Sequence, residues 1–190
     1  MLTLQALSVS TATVALAEIG DKTQLLALLL ATRFRKPWPI AFGILTATVV
    51  NHGLSAWLGV GLNQWLSPQL LRWIVATSFL AVGAWTLVPD KLGEEDEKLP
   101  RRGAYLATTL AFFLAEVGDK TQVATVLLAT KYQPLWPVVV GTTVGMLLAN
   151  LPVVWLGHRF ADRLPLKPAR MVAAAVFVLL GLWVAWRGIG

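Results

Sequence analysis

The stretch Leu16-Ala17-Glu18-Ile19-Gly20-Asp21-Lys22-Thr23-Gln24 returns 98 residues later as Leu114-Ala115-Glu116-Val117-Gly118-Asp119-Lys120-Thr121-Gln122. Each copy lies inside an apolar, helix-length segment. Carboxylates in such surroundings are costly to keep unless they pair or hold a cation.

The match between the two copies extends well past the motif. Between Leu16–Thr32 and Leu114–Thr130, twelve of seventeen positions are identical. At the same offset Trp38-Pro39 matches Trp136-Pro137, Gly43 matches Gly141, Trp57-Leu58-Gly59 matches Trp155-Leu156-Gly157, and Gly83 and Trp85 match Gly181 and Trp183. Self-similarity at one fixed offset is the mark of a duplicated structural unit.

The composition sets the class of fold. The 190 residues are 56% hydrophobic and only 14% charged, against about 25% charged in average globular chains. With the positive mean hydropathy, this predicts an all-α polytopic membrane protein. Six spans are expected at about residues 3–32, 39–62, 69–88, 104–130, 137–157 and 169–187. The predicted organisation is a first three-helix repeat over 1–88, a linker over 89–103 that carries Glu94, Glu95, Asp96 and Glu97, and a second three-helix repeat over 104–190. A unit with three spans ends on the side opposite its start, so the second copy must run inverted.

The net charge of +6 is distributed as a topology signal and not as a nucleic-acid surface. The predicted 1–2, 3–4 and 5–6 connections hold eleven Lys and Arg, and the opposite side holds three: Arg72, Lys131 and Arg187. The positive-inside rule then places the linker in the cytoplasm and both termini outside, in the inner membrane of a cell. Met1 to Ala17 carries no Lys or Arg, so the first apolar run reads as a retained helix and not as a cleaved signal. Trp38, Trp65, Trp73, Trp136 and Trp186 fall near span ends and suit an interfacial belt. Gly43, Gly59, Gly83, Gly141, Gly145 and Gly181 suit close helix packing.

The candidate chemistry is metal binding by hard oxygen donors. The chain has no Cys and two His, which excludes disulfides and thiolate metal sites and disfavours a typical zinc or copper site. Glu18 and Asp21, like Glu116 and Asp119, are three residues apart and share a face on an ideal helix, with Lys22 and Lys120 four beyond each Glu. Gly20 and Gly118 can loosen the helix and free carbonyls. Thr23, Gln24, Thr121 and Gln122 add neutral oxygens. If all six charged groups share one pocket, four carboxylates and the two charge-balancing lysines leave −2, which one divalent cation or two protons would neutralise. Such donors suit Mn²⁺ or Ca²⁺ better than the tightly hydrated Mg²⁺. Asn51, His52 and Asn150 (the counterpart of His52) are candidates to line the path. Structural readings compete: i, i+4 ion pairs Glu18–Lys22 and Glu116–Lys120, or acids that cap helices starting near Gly20 and Gly118.

The paired E-φ-G-D-K-T motifs, each opening a three-helix repeat, resemble those of a family of bacterial manganese exporters, chloroplast manganese transporters and Golgi Ca²⁺/Mn²⁺–proton antiporters. The resemblance spans essentially the whole chain. It implies that Glu18, Asp21, Glu116 and Asp119 bind the transported cation, with Thr23 and Thr121 at the motif's hydroxyl position. It also implies Mn²⁺ as the usual bacterial substrate and Ca²⁺ in some members. The resulting expectation is a secondary transporter, a Mn²⁺ exporter coupled to proton exchange, with no permanent cofactor, no nucleic-acid partner and no assigned oligomeric state. The alternatives are Ca²⁺/H⁺ exchange, a membrane assembly protein that does not transport, and an intramembrane hydrolase. The last lacks an H-E-x-x-H motif or a Ser/His constellation, and no enzyme is expected.

Overall fold

The computed structural model describes residues 2–88, 103–156 and 166–188. Most of the linker, with Glu94–Glu97, lies outside the described residues, as do Gly157, His158, Arg159 and Arg163. Eight helices and no strands occur among the described residues: α1 (Leu2–Glu18), α2 (Lys22–Phe34), α3 (Pro37–Trp65), α4 (Pro68–Thr86), α5 (Ala104–Glu116), α6 (Lys120–Lys131), α7 (Trp136–Leu156) and α8 (Leu166–Arg187).

Two of the expected spans are not single helices. The segments expected to run unbroken over 3–32 and 104–130 are each divided at the motif, α1 from α2 and α5 from α6. The cause is local. Gly20 and Gly118 take φ of +82° and +76°, a left-handed conformation that a helix cannot contain and that glycine adopts without penalty. Val117 at φ −62°, ψ 119° followed by Gly118 makes a type II turn, closed by Asp119 N donating to Glu116 O at 3.1 Å. The first copy closes in the same way, Asp21 N to Glu18 O at 3.0 Å.

The other elements follow their start and stop signals. Pro37 opens α3 and Pro68 opens α4, the latter behind Ser67, whose hydroxyl accepts from Leu70 N; proline suits the first turn because its missing N–H has no helical partner there. Two stretches, Pro37–Leu62 and Trp136–Leu156, are long and apolar enough to cross a bilayer by themselves. The five Trp assigned to span ends are all exposed.

The packing repeats with the sequence. A Cβ on Gly43 would meet Tyr105 O and Thr108; one on Gly141 would meet Leu7 O and Ser10, the residues 98 positions before Tyr105 and Thr108. Thus α3 grips α5 as α7 grips α1. Gly83 approaches Ala174 O, and Gly181 approaches Ala76 O in return. The Phe79 and Phe177 rings, also 98 apart in sequence, stack on each other at 6.2 Å with 28° between planes. Such reciprocity, where i meets j and the image of i meets the image of j, is what a two-fold relation between halves produces. The repeats are intertwined: the most extensive packing is of α1 on α7, α4 on α8, and α3 on α5 and α6.

Candidate metal centre

The helix breaks put matched groups at matched stations. Glu18 and Glu116 are the last residues of α1 and α5; Asp21 and Asp119 are the N-caps of α2 and α6; Lys22 and Lys120 are those helices' first residues. A half-helix N-terminus carries partial positive charge and unpaired N–H groups, so an Asp there is favoured on local grounds. Asp21 Oδ2 accepts from Thr23 N at 3.4 Å. The expectation that the acids cap helices therefore holds geometrically for both Asp, although Asp119 makes no side-chain cap bond.

The glutamines have a definite structural task. The Asp21 and Asp119 amides are spent on the turns, leaving the glycine amides exposed. Gln24 Oε1 accepts from Gly20 N at 2.8 Å and Gln122 Oε1 from Gly118 N at 2.6 Å, a variant of the capping box. Gln24 Nε2 also donates to Ala149 O at 2.9 Å, tying the first break to α7.

The threonines orient the glutamates. The Thr23 hydroxyl donates to Glu18 Oε2, and that of Thr121 donates to Glu116 Oε2 at 2.9 Å. One oxygen of each glutamate is thereby fixed. Glu18 Oε1, Glu116 Oε1 and Asp119 Oδ2 are buried without a hydrogen-bond partner among the described residues.

Glu18, Glu116 and Asp119 converge: one ligand atom from each lies within 4.8 Å of the others, and all three side chains are buried. Donors on one hard cation lie roughly 2.1–2.6 Å from it, hence at most about 4–5 Å from each other. The spacing is one that a single cation could bridge.

Asp21 is engaged by a lysine of the other repeat. Lys120 Nζ lies 2.7 Å from Asp21 Oδ1, with both side chains buried. The glycine turns divide the helices between Glu18 and Lys22 and between Glu116 and Lys120, removing the shared helix face on which the i, i+4 pairs relied. The pair that forms instead joins one repeat to the other. Of the six charged groups expected in one pocket, three carboxylates lie within ligand distance of one another, Asp21 pairs with Lys120, and Lys22 is half buried.

The path-lining candidates divide. His52 is fully buried on α3 with Nε2 4.0 Å from Glu116 Oε2. Its counterpart Asn150 on α7 donates to Glu18 Oε2 at 3.4 Å and to Met146 O at 3.1 Å. Each central glutamate thus faces one polar residue of the long helix from the other repeat. Asn51 instead donates to Phe113 O at 3.0 Å, bonding α3 to α5. Sequence reasoning missed Thr48, buried one turn before His52 with its hydroxyl unpartnered among the described residues. A second polar residue four before His52 on an apolar helix was the available signal.

Comparison with known proteins identifies relatives along nearly the whole chain. A profile described as "Divalent cation/proton antiporter GDT1" matches residues 6–94 and 104–190. A protein of Vibrio cholerae serotype O1 named "Putative manganese exporter" is 53% identical over 184 residues, covering 96% of this chain and 92% of its own. GDT1-like protein 5 of Arabidopsis thaliana is 29% identical, with 94% of each chain covered. GDT1-like protein sll0615 of Synechocystis is 26% identical, covering 91% of this chain and 92% of its own. No solved structure matches. Both halves are matched, each carrying one break and one acidic motif, and the chain belongs to the GDT1 family of divalent cation/proton antiporters.

Proposed function

We propose that this protein exports Mn²⁺ across a bacterial inner membrane in exchange for protons, through a site built on Glu18, Glu116, Asp119 and Asp21. The observation that carries the reading is the convergence of three buried carboxylates from two helix breaks. The Vibrio relative's name supplies the metal and the direction.

Valence supports exchange as the mode of action. Asp21 and Lys120 cancel as a pair. The triad with Lys22 then carries −2 at full ionisation, and either one divalent cation or two protons brings it to neutrality. An empty charged site is costly to carry through an apolar barrier, so a return stroke without a load is disfavoured. Thr23 and Thr121 hold one oxygen of each glutamate, so the second is aimed before the ion arrives. Gln24 and Gln122 act through the turns that set the geometry.

The architecture that fits this reading is six spans in two inverted repeats, 1–88 and 104–190. The pairs α1–α2 and α5–α6 are the broken first and fourth spans, with the 89–103 linker cytoplasmic and both termini outside. Broken helices at a midplane site are a recurring transporter solution.

The test is Mn²⁺ flux into proteoliposomes with a simultaneous internal pH readout. Wild type is expected to move Mn²⁺ against protons; Asp119→Asn and Asp21→Asn are expected to lose the flux. Unchanged flux in both variants refutes the site. Ca²⁺ that competes fully with Mn²⁺ and is itself exchanged for protons would establish Ca²⁺/H⁺ exchange in place of Mn²⁺ export. Absence of any cation flux from folded wild type would leave only a role without transport.

A further inference from the structure

The two halves match in sequence and in their main helix pairings, but α4 and α8 cover them unequally. One apolar core draws buried residues from α1, α3, α6 and α7 and is covered by α4 and α8 through Leu71, Val75, Phe79, Phe177 and Val184. The other draws on α1, α2, α3, α5 and α7 and includes no buried residue of α4 or α8. In the same sense, α4 packs on α6 and α8 packs on α1, whereas the images of these contacts, α8 on α2 and α4 on α5, are not comparably formed among the described residues. Among the described residues, α4 and α8 cover the side where α1 and α6 lie and not the side where α2 and α5 lie.

The charged groups are skewed in the same direction. Lys120, the first residue of α6, is buried against Asp21 at 2.7 Å. Its image Lys22 is half buried, and no ion pair joins it to Asp119 among the described residues. Asp119, the image of Asp21, stands instead with Glu18 and Glu116 in the triad.

We propose that Lys22 and Lys120 are alternating latches. In the state seen here Lys120 holds Asp21, the α1/α6 end is shut, and Asp119 completes the metal triad. In the opposite state Lys22 holds Asp119, α4 and α8 cover the α2/α5 core, and Asp21 takes the third place beside Glu18 and Glu116. The approximate two-fold relation between the halves allows such a partner state to be built from the corresponding contacts with the roles exchanged. Each lysine is then a positioning residue that decides which Asp is offered to the ion. The inference rests on the transport reading for its purpose, but it makes a conformational claim that can be measured without transport.

The chain has no Cys, so labels can be placed without background. One pair of spin labels at Trp73→Cys and Lys131→Cys reports α4 against α6. A second at Met171→Cys and Arg33→Cys, 98 positions away in each helix, reports α8 against α2. In metal-free protein in nanodiscs, the first pair is expected to be short and the second long. Lys120→Gln is expected to shift the ratio of the two arrangements by about tenfold or more toward the opposite state, the scale of a lost charged hydrogen bond. Lys22→Gln is expected to keep the wild-type arrangement, and Lys120→Arg to restore it. Should Lys120→Gln fail to fold, Asp21→Asn carries the same expectation. Distances unmoved by Lys120→Gln, or both Gln variants shifting the same way, overturn the latch. Absent Mn²⁺ flux in wild type would refute the proposed function while leaving these distances a valid test of the latch.

Discussion

Replacing Gly118 with alanine tests whether the helix break itself makes the site. Gly118 holds φ +76°, where an L side chain costs roughly 1–2 kcal/mol. An added Cβ there meets no heavy atom within 4 Å, so crowding contributes nothing and the cost is purely conformational. It falls on the choice between the turn and a continuous helix. In the turn, Glu116 and Asp119 are separated by a reversal of backbone hand; in a continuous helix Asp119 ceases to be an N-cap and Gln122 loses the Gly118 amide it accepts from. A shift of 1–2 kcal/mol changes the ratio of the two forms by about 5–30-fold, which is the ceiling on the loss of apparent Mn²⁺ affinity. Asparagine tolerates left-handed backbone better than alanine, so Gly118→Asn is expected to lose less. The assay is equilibrium Mn²⁺ titration of purified protein, with thermal unfolding in parallel to separate site loss from global instability. A loss of Mn²⁺ affinity well beyond about 30-fold in folded Gly118→Ala, or Gly118→Asn binding more weakly than Gly118→Ala, refutes the argument.

Glu18→Gln and Glu116→Gln keep size and the threonine bond but remove a charge from the triad; each is expected to weaken Mn²⁺ binding at least tenfold, checked by the same titration. Lowering the pH is expected to weaken Mn²⁺ binding, because protonated carboxylates are poorer ligands and metal binding must release those protons; a titration series across pH that shows no proton release contradicts it. Gly141→Val would place its Cβ 2.7 Å from Leu7 O and is expected to destabilise by roughly 1–3 kcal/mol. Gly53→Ala, where a Cβ meets nothing within 4 Å, is expected to be neutral or stabilising by up to about 1 kcal/mol; detergent-resistant melting curves compare the two.

Much of this architecture was legible in the chain. The constant offset of 98 reported the duplication, and Gly43 with Gly141 and Gly83 with Gly181 marked the close helix approaches before any contact was known. The motif acids were legible as a group because carboxylates in apolar runs are conspicuous. The division of labour among them was not. Reading Glu18, Asp21 and Lys22 on one ideal helix assumed unbroken geometry, and the positive φ of Gly20 and Gly118 removed it. The Lys120–Asp21 pair could not be read from spacing, since it depends on how two distant half-helices meet. Gln24 and Gln122 looked like spare oxygen donors because the glycine amides they accept from become available only once the turn forms. Thr48 carries no charge, so only its spacing from His52 distinguishes it from the other hydroxyls of α3.

Phe79 and Phe177 face each other across the point where the two halves meet. Because each ring is the other's image, exchanging the halves returns this stack to itself. For the exchange of states proposed above it offers a fulcrum: α4 and α8 can tilt together about an unbroken ring pair. Under that proposal, a substitution at either ring disturbs both directions alike and favours neither end.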